Sequence, residues 1–159
     1  MIESVVAGVI ALLQARENKI YQVDIPELIK GLPKSVFLHY AQLYLLLPDL
    51  AFIKSLVDYD VSHAAVATIL QAWAYGVRLR LMVHRQLLPA LPLRQLSRLP
   101  VTIVDHLDIP VNIIAGGNIC YANVILLHDC WLCIDKHALI TALARDVIAK
   151  QGITLIGRE

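Results

Sequence analysis

Two cysteines and two histidines are the residues of this 159-residue chain best suited to chemistry. They lie in the segment HDCWLCIDKH as His128, Cys130, Cys133 and His137, and Cys120 precedes them. A C-x-x-C pair with histidines nearby is typical of zinc sites, iron–sulfur clusters and redox-active dithiols. The segment therefore raises the hypothesis of a metal or iron–sulfur protein.

The elements predicted around these cysteines do not favour such a site. Trp131–Ile134 is predicted to be a strand, and strand positions three apart point to opposite faces, so Cys130 and Cys133 would diverge. No Gly or Pro supplies a turn between them, and a redox pair needs a helix N-terminus, which is predicted only near His137. The preferred interpretation is ordinary packing of free thiols, with no metal ligand assigned.

A ligand cleft is a second possible site. His84 and Arg85 end a predicted strand, and His128 follows another apolar segment. In open α/β sheets, ligands collect at the carboxyl ends of the strands, where these three residues would contact a small molecule or a flavin. The alternative is that each histidine is a structural or surface residue.

Signatures of catalysis are absent from the sequence. Gly116-Gly117 does not match G-x-G-x-x-G and is predicted to be a turn, and no P-loop, H-E-x-x-H or G-x-S-x-G motif occurs. The carboxylates form no recognisable acid/base pair. We therefore assign no catalytic residue and no cofactor, and predict that the chain is not an enzyme.

The composition predicts a protein with little polar surface. Hydrophobic residues make up 58% of the chain and charged residues only 17%, whereas globular chains average about 45–50% and about 25%. Elements buried on both faces, or an apolar surface covered by a partner, would produce this balance. Self-association or attachment to a scaffold is therefore expected.

The formal charge of +1 argues against nucleic-acid binding, which usually needs a basic stripe. The middle third of the chain is nevertheless locally basic, and this region is interpreted as either a solvated face or an anion or partner site. Its arginines are Arg78, Arg80, Arg85, Arg94 and Arg98.

No membrane span or secretory signal is expected. The longest stretches without charged side chains, 35–48, 61–77 and 109–128, contain Pro, Gly or polar residues and do not resemble the ~20 apolar residues of a spanning helix. The amino terminus carries Glu3 and lacks a basic region. The chain is expected to be a soluble, intracellular protein.

The amino-terminal segment has the spacing of an amphipathic helix, Ile2–Glu17, followed by a short polar break. A helix of this length is marginal alone and needs a surface to lie on. Its large aliphatic side chains would contact either a partner protein or the rest of this chain. The anchors of a partner contact would be Ile2, Val5, Val6, Val9, Leu12 and Leu13.

The remaining chain alternates predicted strands and helices with short connections, which indicates one layered α/β domain over residues 19–159 with a mostly parallel sheet. Predicted helices are Leu50–Tyr59, Ala64–Tyr75 with Ser62 as its N-cap, Leu93–Leu99 and His137–Lys150. Predicted strands are Lys19–Ile25, Gln42–Leu47, Val77–His84, Val101–Val104, Pro110–Ile114, Asn123–Leu127, Trp131–Ile134 and Ile153–Ile156.

Three segments resemble the PduM family of propanediol-utilisation microcompartment proteins. They are LYLLLPDLAFIKSLVD (Leu43–Asp58), YGVRLRLMVHRQLLPALPLRQLSRLP (Tyr75–Pro100) and ALITALARDVIAKQGITLI (Ala138–Ile156). The order of strands and helices from Leu43 to Val83 also has a fold-level likeness to flavoproteins of the cysteine-decarboxylase type. That likeness implies a Rossmann-like core but does not license flavin binding.

The family resemblance implies a non-enzymatic component that supports assembly of a protein-shelled organelle in the cytoplasm. The implied partners are shell proteins, encapsulated enzymes or both. It also implies that residues 1–17 act as a docking helix, as short terminal helices do in microcompartment cargo.

Overall fold

The computed structural model describes residues 1–157, which form an α/β fold around a seven-stranded sheet. Its strands lie side by side in chain order. They are β1 (Ile20–Val23), β2 (Gln42–Leu46), β3 (Arg78–Met82), β4 (Val101–Val104), β5 (Pro110–Ile114), β7 (Trp131–Ile134) and β9 (Thr154–Gly157). Two short strands, β6 (Asn118–Ile119) and β8 (Leu139–Ile140), pair separately.

Helices connect most of these strands. They are α1 (Ile2–Arg16), α2 (Ile25–Lys30), α3 (Lys34–His39), α4 (Leu50–Val57), α5 (Ala64–Ala74), α6 (Leu93–Leu96), α7 (Tyr121–Val124) and α8 (Ala142–Lys150). A 3-10 helix, Arg85–Ala90, follows β3.

A single antiparallel pair interrupts the parallel sheet. Within residues 1–157, β4 and β5 form a hairpin, whereas the other neighbouring strands of the sheet are parallel. The strands after the hairpin therefore run opposite to those before it. This reversal decides which face of the sheet each helix covers.

The first face of the sheet carries the larger core. Leu43, Leu81, Val111 and Cys133 belong to this core, which α2, α3, α4, α5, the 3-10 helix and α6 cover. The 3-10 helix also contacts β9 at the far edge of the sheet. Helices on this face therefore cover the sheet from one side to the other.

The second face is covered only over its later strands. Leu132 and Ile134 of β7 pack there against Ala144 and Ile148 of α8 and against α7. Over β1 to β4, no helix described within residues 1–157 belongs to a core on this face. Half of the second face therefore lacks a helical layer within residues 1–157.

The predicted fold class is confirmed at the level of an α/β domain with a mostly parallel sheet and an amino-terminal helix. A Rossmann-like or flavoprotein-like core is not confirmed. The strand order runs straight along the chain and includes an antiparallel pair, whereas a doubly wound sheet reverses its strand order near the middle.

The predicted strand Asn123–Leu127 is wrong, because the structure forms the short helix α7 at Tyr121–Val124. A local cap explains the difference. The Asn123 side chain accepts hydrogen bonds from the Cys120 backbone N–H (2.8 Å) and from the Cys120 thiol (3.0 Å). These bonds close a helical turn that the apolar pattern alone did not indicate.

The predicted helix His137–Lys150 begins later than expected. Leu139–Ile140 is strand β8, and Thr141 caps α8 by accepting a hydrogen bond from the Ala144 N–H. Leu139 and Leu143 are exposed, although both lie within the predicted helix. Ala144 and Ile148 make the inward contacts instead.

Other boundaries shift by a few residues. His63, not Ser62, caps α5, because its Nδ1 accepts the Ala65 N–H while the Ser62 hydroxyl donates to Asp60. Strand Lys19–Ile25 is shorter than predicted, because Asp24 caps the unpredicted helix α2. Helix α3 was also not predicted.

A buried arginine joins α1 to the domain. Arg16 donates from one guanidinium nitrogen to the Phe37 carbonyl (2.5 Å) and from the other to the Tyr75 carbonyl (2.9 Å). These carbonyls lie at the carboxyl ends of α3 and α5, where the helix dipoles favour a cation. Gly76, at φ 74°, allows the approach, since a Cβ there would lie 3.3 Å from the guanidinium.

Replacing this arginine should destabilise the domain. We expect Arg16→Ala to lower the free energy of unfolding by about 2–4 kcal/mol, because two carbonyls lose a charged donor. Arg16→Lys should cost less, since an ammonium keeps the charge but not the forked geometry. Urea denaturation measures both, and the exposed Arg145→Ala is the matched control. Equal unfolding midpoints for Arg16→Ala and Arg145→Ala would contradict the anchoring role.

Candidate functional site

The outer part of α1 is an exposed apolar surface. At 100° per residue, its large aliphatic side chains fall within an arc of about 160°, and the opposite side carries mostly small residues such as Ala7 and Ala11. We call this arc the α1 apolar surface. It comprises Ile2, Val5, Val6, Val9, Ile10, Leu12 and Leu13, whose side chains are 47–81% exposed.

The α1 apolar surface is held out from the domain by the last turn of the helix. Arg16 is the buried residue of α1, and the helix lies beside α3. Of the two expected arrangements, the structure does not show the helix packed along its own domain. Contiguous apolar surface of this kind in a folded chain is typical of a protein-binding site.

No contact described within residues 1–157 joins all three residues predicted to line a ligand cleft. His84 follows β3, where its ring stacks on His106 at 4.3 Å between centroids. Arg85 and His128 are exposed, and no hydrogen bond or ion pair described within residues 1–157 connects either to His84. A cleft shared by these three residues therefore stays a prediction.

The polar centre at this edge of the sheet is Asp105, a residue that the sequence pattern does not single out. Its carboxylate accepts hydrogen bonds from the backbone N–H groups of Leu107 and Ile109, both at 2.8 Å, and from Trp131 Nε1 at 2.9 Å. The residue is 1% exposed. The pairing of Asp105 with Trp131, 26 residues later, leaves no signal in sequence spacing.

Hydrogen bonding favours the ionised form of the Asp105 carboxyl. Burial raises the pKa of Asp105, but the hydrogen bonds from Trp131, Ile109 and Leu107 lower it further, so the pKa lies below its ordinary value. The group therefore remains a charged acceptor that ties the β4–β5 hairpin to the start of β7.

Removing the charge of Asp105 should make the free energy of unfolding less dependent on pH in the acidic range. A depressed pKa stabilises the folded state above the ordinary value of about 3.9, and this contribution is lost as pH falls through the folded-state pKa. We expect Asp105→Asn to cost about 1–3 kcal/mol at neutral pH, with a smaller difference from the unmodified chain near pH 3. Urea denaturation at both pH values tests this, with the exposed Asp146→Asn as control. An unchanged difference at low pH would contradict it.

The two neighbouring cysteines diverge, as their spacing predicted. Cys133 belongs to the core on the first face of the sheet and Cys130 to the core on the second face. Burial raises the pKa of both thiols, that of Cys133 to about 11. Cys120 is exposed. No group of three or more metal-ligating side chains is assembled within residues 1–157.

Native alkylation should distinguish the three thiols. We expect iodoacetamide at pH 8 to modify Cys120 alone in the folded chain and all three cysteines in denaturing urea, as counted by mass spectrometry. The reason is that the thiolate is the reactive form, and burial disfavours it at Cys130 and Cys133. Native modification of these two thiols that zinc prevents would instead indicate a metal site.

The described fold defines an α/β protein whose most distinctive surface is an exposed apolar helix. None of its helices within residues 1–157 is both long and apolar enough to cross a membrane.

Residues 4–154 match a family model described as PDU-like, for propanediol utilisation. This match, together with a relative of 30% identity that aligns over almost its whole length, shows that the chain belongs to the PduM family. It is similar to the bacterial microcompartment assembly protein PduM of Salmonella typhimurium, with 30% identity over 99% of this chain and 97% of that protein. It is also 28% identical to the protein of the same name from Citrobacter freundii, over 100% of this chain and 98% of that protein. No solved structure matches the chain.

Proposed function

We propose that this chain is a non-enzymatic assembly component of a bacterial microcompartment, located with that organelle in the cytoplasm. Two relatives that align over almost their whole length are named microcompartment assembly proteins. Protein contacts, rather than catalysis, are then the activity that the structure has to provide.

The observation that carries this proposal is the α1 apolar surface. The surface is built of branched aliphatic side chains, and Val6 and Val9 near its centre are each 50% exposed. Removing apolar area from water contributes roughly 25 cal/mol per Å², so covering several such side chains supplies several kcal/mol of binding free energy. A helix that presents one apolar arc suits the groove of a partner protein.

Shell proteins and encapsulated enzymes are the proposed partners, with residues 1–17 acting as the docking segment and residues 19–159 as the folded domain. The buried Arg16 refines this division, since it belongs to the helix yet bonds to the domain. The docking contacts would therefore come from Ile2, Val5, Val6, Val9, Leu12 and Leu13, which precede Arg16. A second copy of the chain would use the same surface in a homo-oligomer.

Charges on the α1 apolar surface should abolish docking. We expect the double variant Val6→Glu/Val9→Glu to lose co-purification with shell proteins and encapsulated enzymes, because burying two unpaired carboxylates is strongly unfavourable. Glutamate forms helices at least as well as valine, so the helix itself should persist. Affinity purification from cells that produce the organelle measures the loss, and size-exclusion chromatography shows whether self-association is lost instead.

The matched control is Ala7→Glu/Ala11→Glu, which places the same charges on the opposite side of α1. This control should retain the partners, and both double variants should unfold within about 0.5 kcal/mol of the unmodified chain, since all four positions are exposed. Retained partners in Val6→Glu/Val9→Glu would rule out docking through α1. Equal loss in both variants would show that net charge, not apolar contact, governs the association.

A further inference from the structure

A cleft of about 620 Å³ opens where strands β4 and β5 separate, and second-face side chains of the neighbouring strands line one side of it. It opens beside the β4–β5 hairpin, where Ile103–Val111 and Val104–Pro110 are the paired residues although both strands continue beyond them. The end of α6 forms another wall, at Leu96 and Ser97. The cleft therefore lies where two strands separate, next to an open sheet surface.

The charged side chains that line the cleft are all positive. Arg78 and Arg80 of β3 line it together with the neutral side chains of Gln42, Thr102 and Asn112, and none of its described lining residues is acidic. Neither arginine forms an ion pair with another described residue between 1 and 157. The cleft therefore presents two arginines that no ion pair within this part of the chain engages.

Arg80 is held in place by an aromatic ring. Its guanidinium carbon lies 5.5 Å from the centroid of the Tyr44 ring, on the neighbouring strand. The Tyr44 hydroxyl donates to Asp108 at 3.0 Å. Burial and this hydrogen bond raise the pKa of Tyr44, which keeps the phenol protonated as a donor. The ring is thereby fixed, and Arg80 rests on it through a cation–π contact.

Arg80 nevertheless keeps an unused donor. Its Nε atom is buried and has no hydrogen-bond partner among the described residues. Arg80 also lines the cleft, and no hydrogen bond described within residues 1–157 engages its guanidinium, so its nitrogens at the cleft are available to an acceptor from outside this part of the chain. The forked geometry of a guanidinium is best matched by a carboxylate or a phosphate.

The spacing of the two arginines favours an extended peptide as the source of the carboxylates. Arg78 and Arg80 are alternate residues of one strand, so their side chains leave the same face about 6.6 Å apart. Acidic side chains two residues apart on an extended segment repeat at that same distance. We propose that this cleft binds an acidic, extended segment of a partner protein, with Arg80 and Arg78 each receiving one carboxylate.

This inference names a second contact surface for the proposed assembly function, and it relies on that function only for the choice of a protein ligand. The experiment uses the full chain and a fluorescein-labelled eight-residue peptide that alternates Glu and Thr. Fluorescence anisotropy should show saturable binding that weakens with added salt, since ion pairs near a surface are screened. The same peptide with Gln in place of Glu should bind at least about tenfold more weakly.

Two substitutions test the arginines separately. Arg80→Gln should weaken binding of the Glu peptide about tenfold to a hundredfold, as expected when a charged hydrogen bond is lost, and Arg80→Lys should fall between. Arg78→Gln removes an exposed side chain and keeps the test valid if Arg80→Gln does not fold. Arg85→Gln is the matched control, because Arg85 lies beyond the other end of β3, and its binding should be unchanged.

Several results would overturn the proposal. They are equal binding of the Glu and Gln peptides, unchanged binding by both Arg80→Gln and Arg78→Gln, and no binding at about 1 mM peptide, where recognition is already weak. Displacement of the peptide by inorganic phosphate, but not by equal ionic strength of chloride, would assign the cleft to a small anion instead. Val6→Glu/Val9→Glu should bind the peptide normally, so failure of α1 docking and failure of this cleft remain distinguishable.

Discussion

The hydrogen bonds of Asp105 secure the turn on which the rest of the architecture depends. Its carboxylate accepts from Leu107 and Ile109 within the β4–β5 hairpin and from Trp131 at the start of β7. The hairpin reverses the direction of the strands while their order across the sheet continues unchanged. Connections between parallel strands are almost always right-handed, so a reversal of strand direction moves the connecting helices to the opposite face.

That reversal explains the two separate cores and the surface left between them. Before the hairpin, the helices pack on the first face; after it, α7 and α8 pack on the second face. The second face of β1 to β4 consequently has no helical layer within residues 1–157, and its side chains include Gln42, Arg78, Arg80 and Thr102. The arginines are tolerated in a central strand because their face of the sheet is uncovered.

The sequence predicted the features that depend on local pattern. It did not predict the features that depend on contacts between residues far apart in the chain. The sequence pattern predicted a strand at Val77–His84, where β3 lies, and the three-residue spacing of Cys130 and Cys133 predicted their divergence. The Asn123–Leu127 strand was wrong because a side-chain cap outweighed an apolar run. The contact of Asp105 with Trp131 joins residues brought together only by the fold, so no periodicity indicates it.

The same distinction between local pattern and tertiary contact applies to the candidate surfaces. The structure also accounts for the unusual composition. A chain with 58% hydrophobic and 17% charged residues needs both sheet faces to bury apolar side chains, and the two cores provide them. Seven large aliphatic residues remain outside both cores, on the α1 apolar surface. Periodicity identified that helix, but only the position of Arg16, buried at its last turn, shows that the helix is anchored at one end with its apolar arc uncovered. The apolar surplus of the chain is therefore partly core and partly surface, and seven of its exposed large apolar side chains lie together on α1.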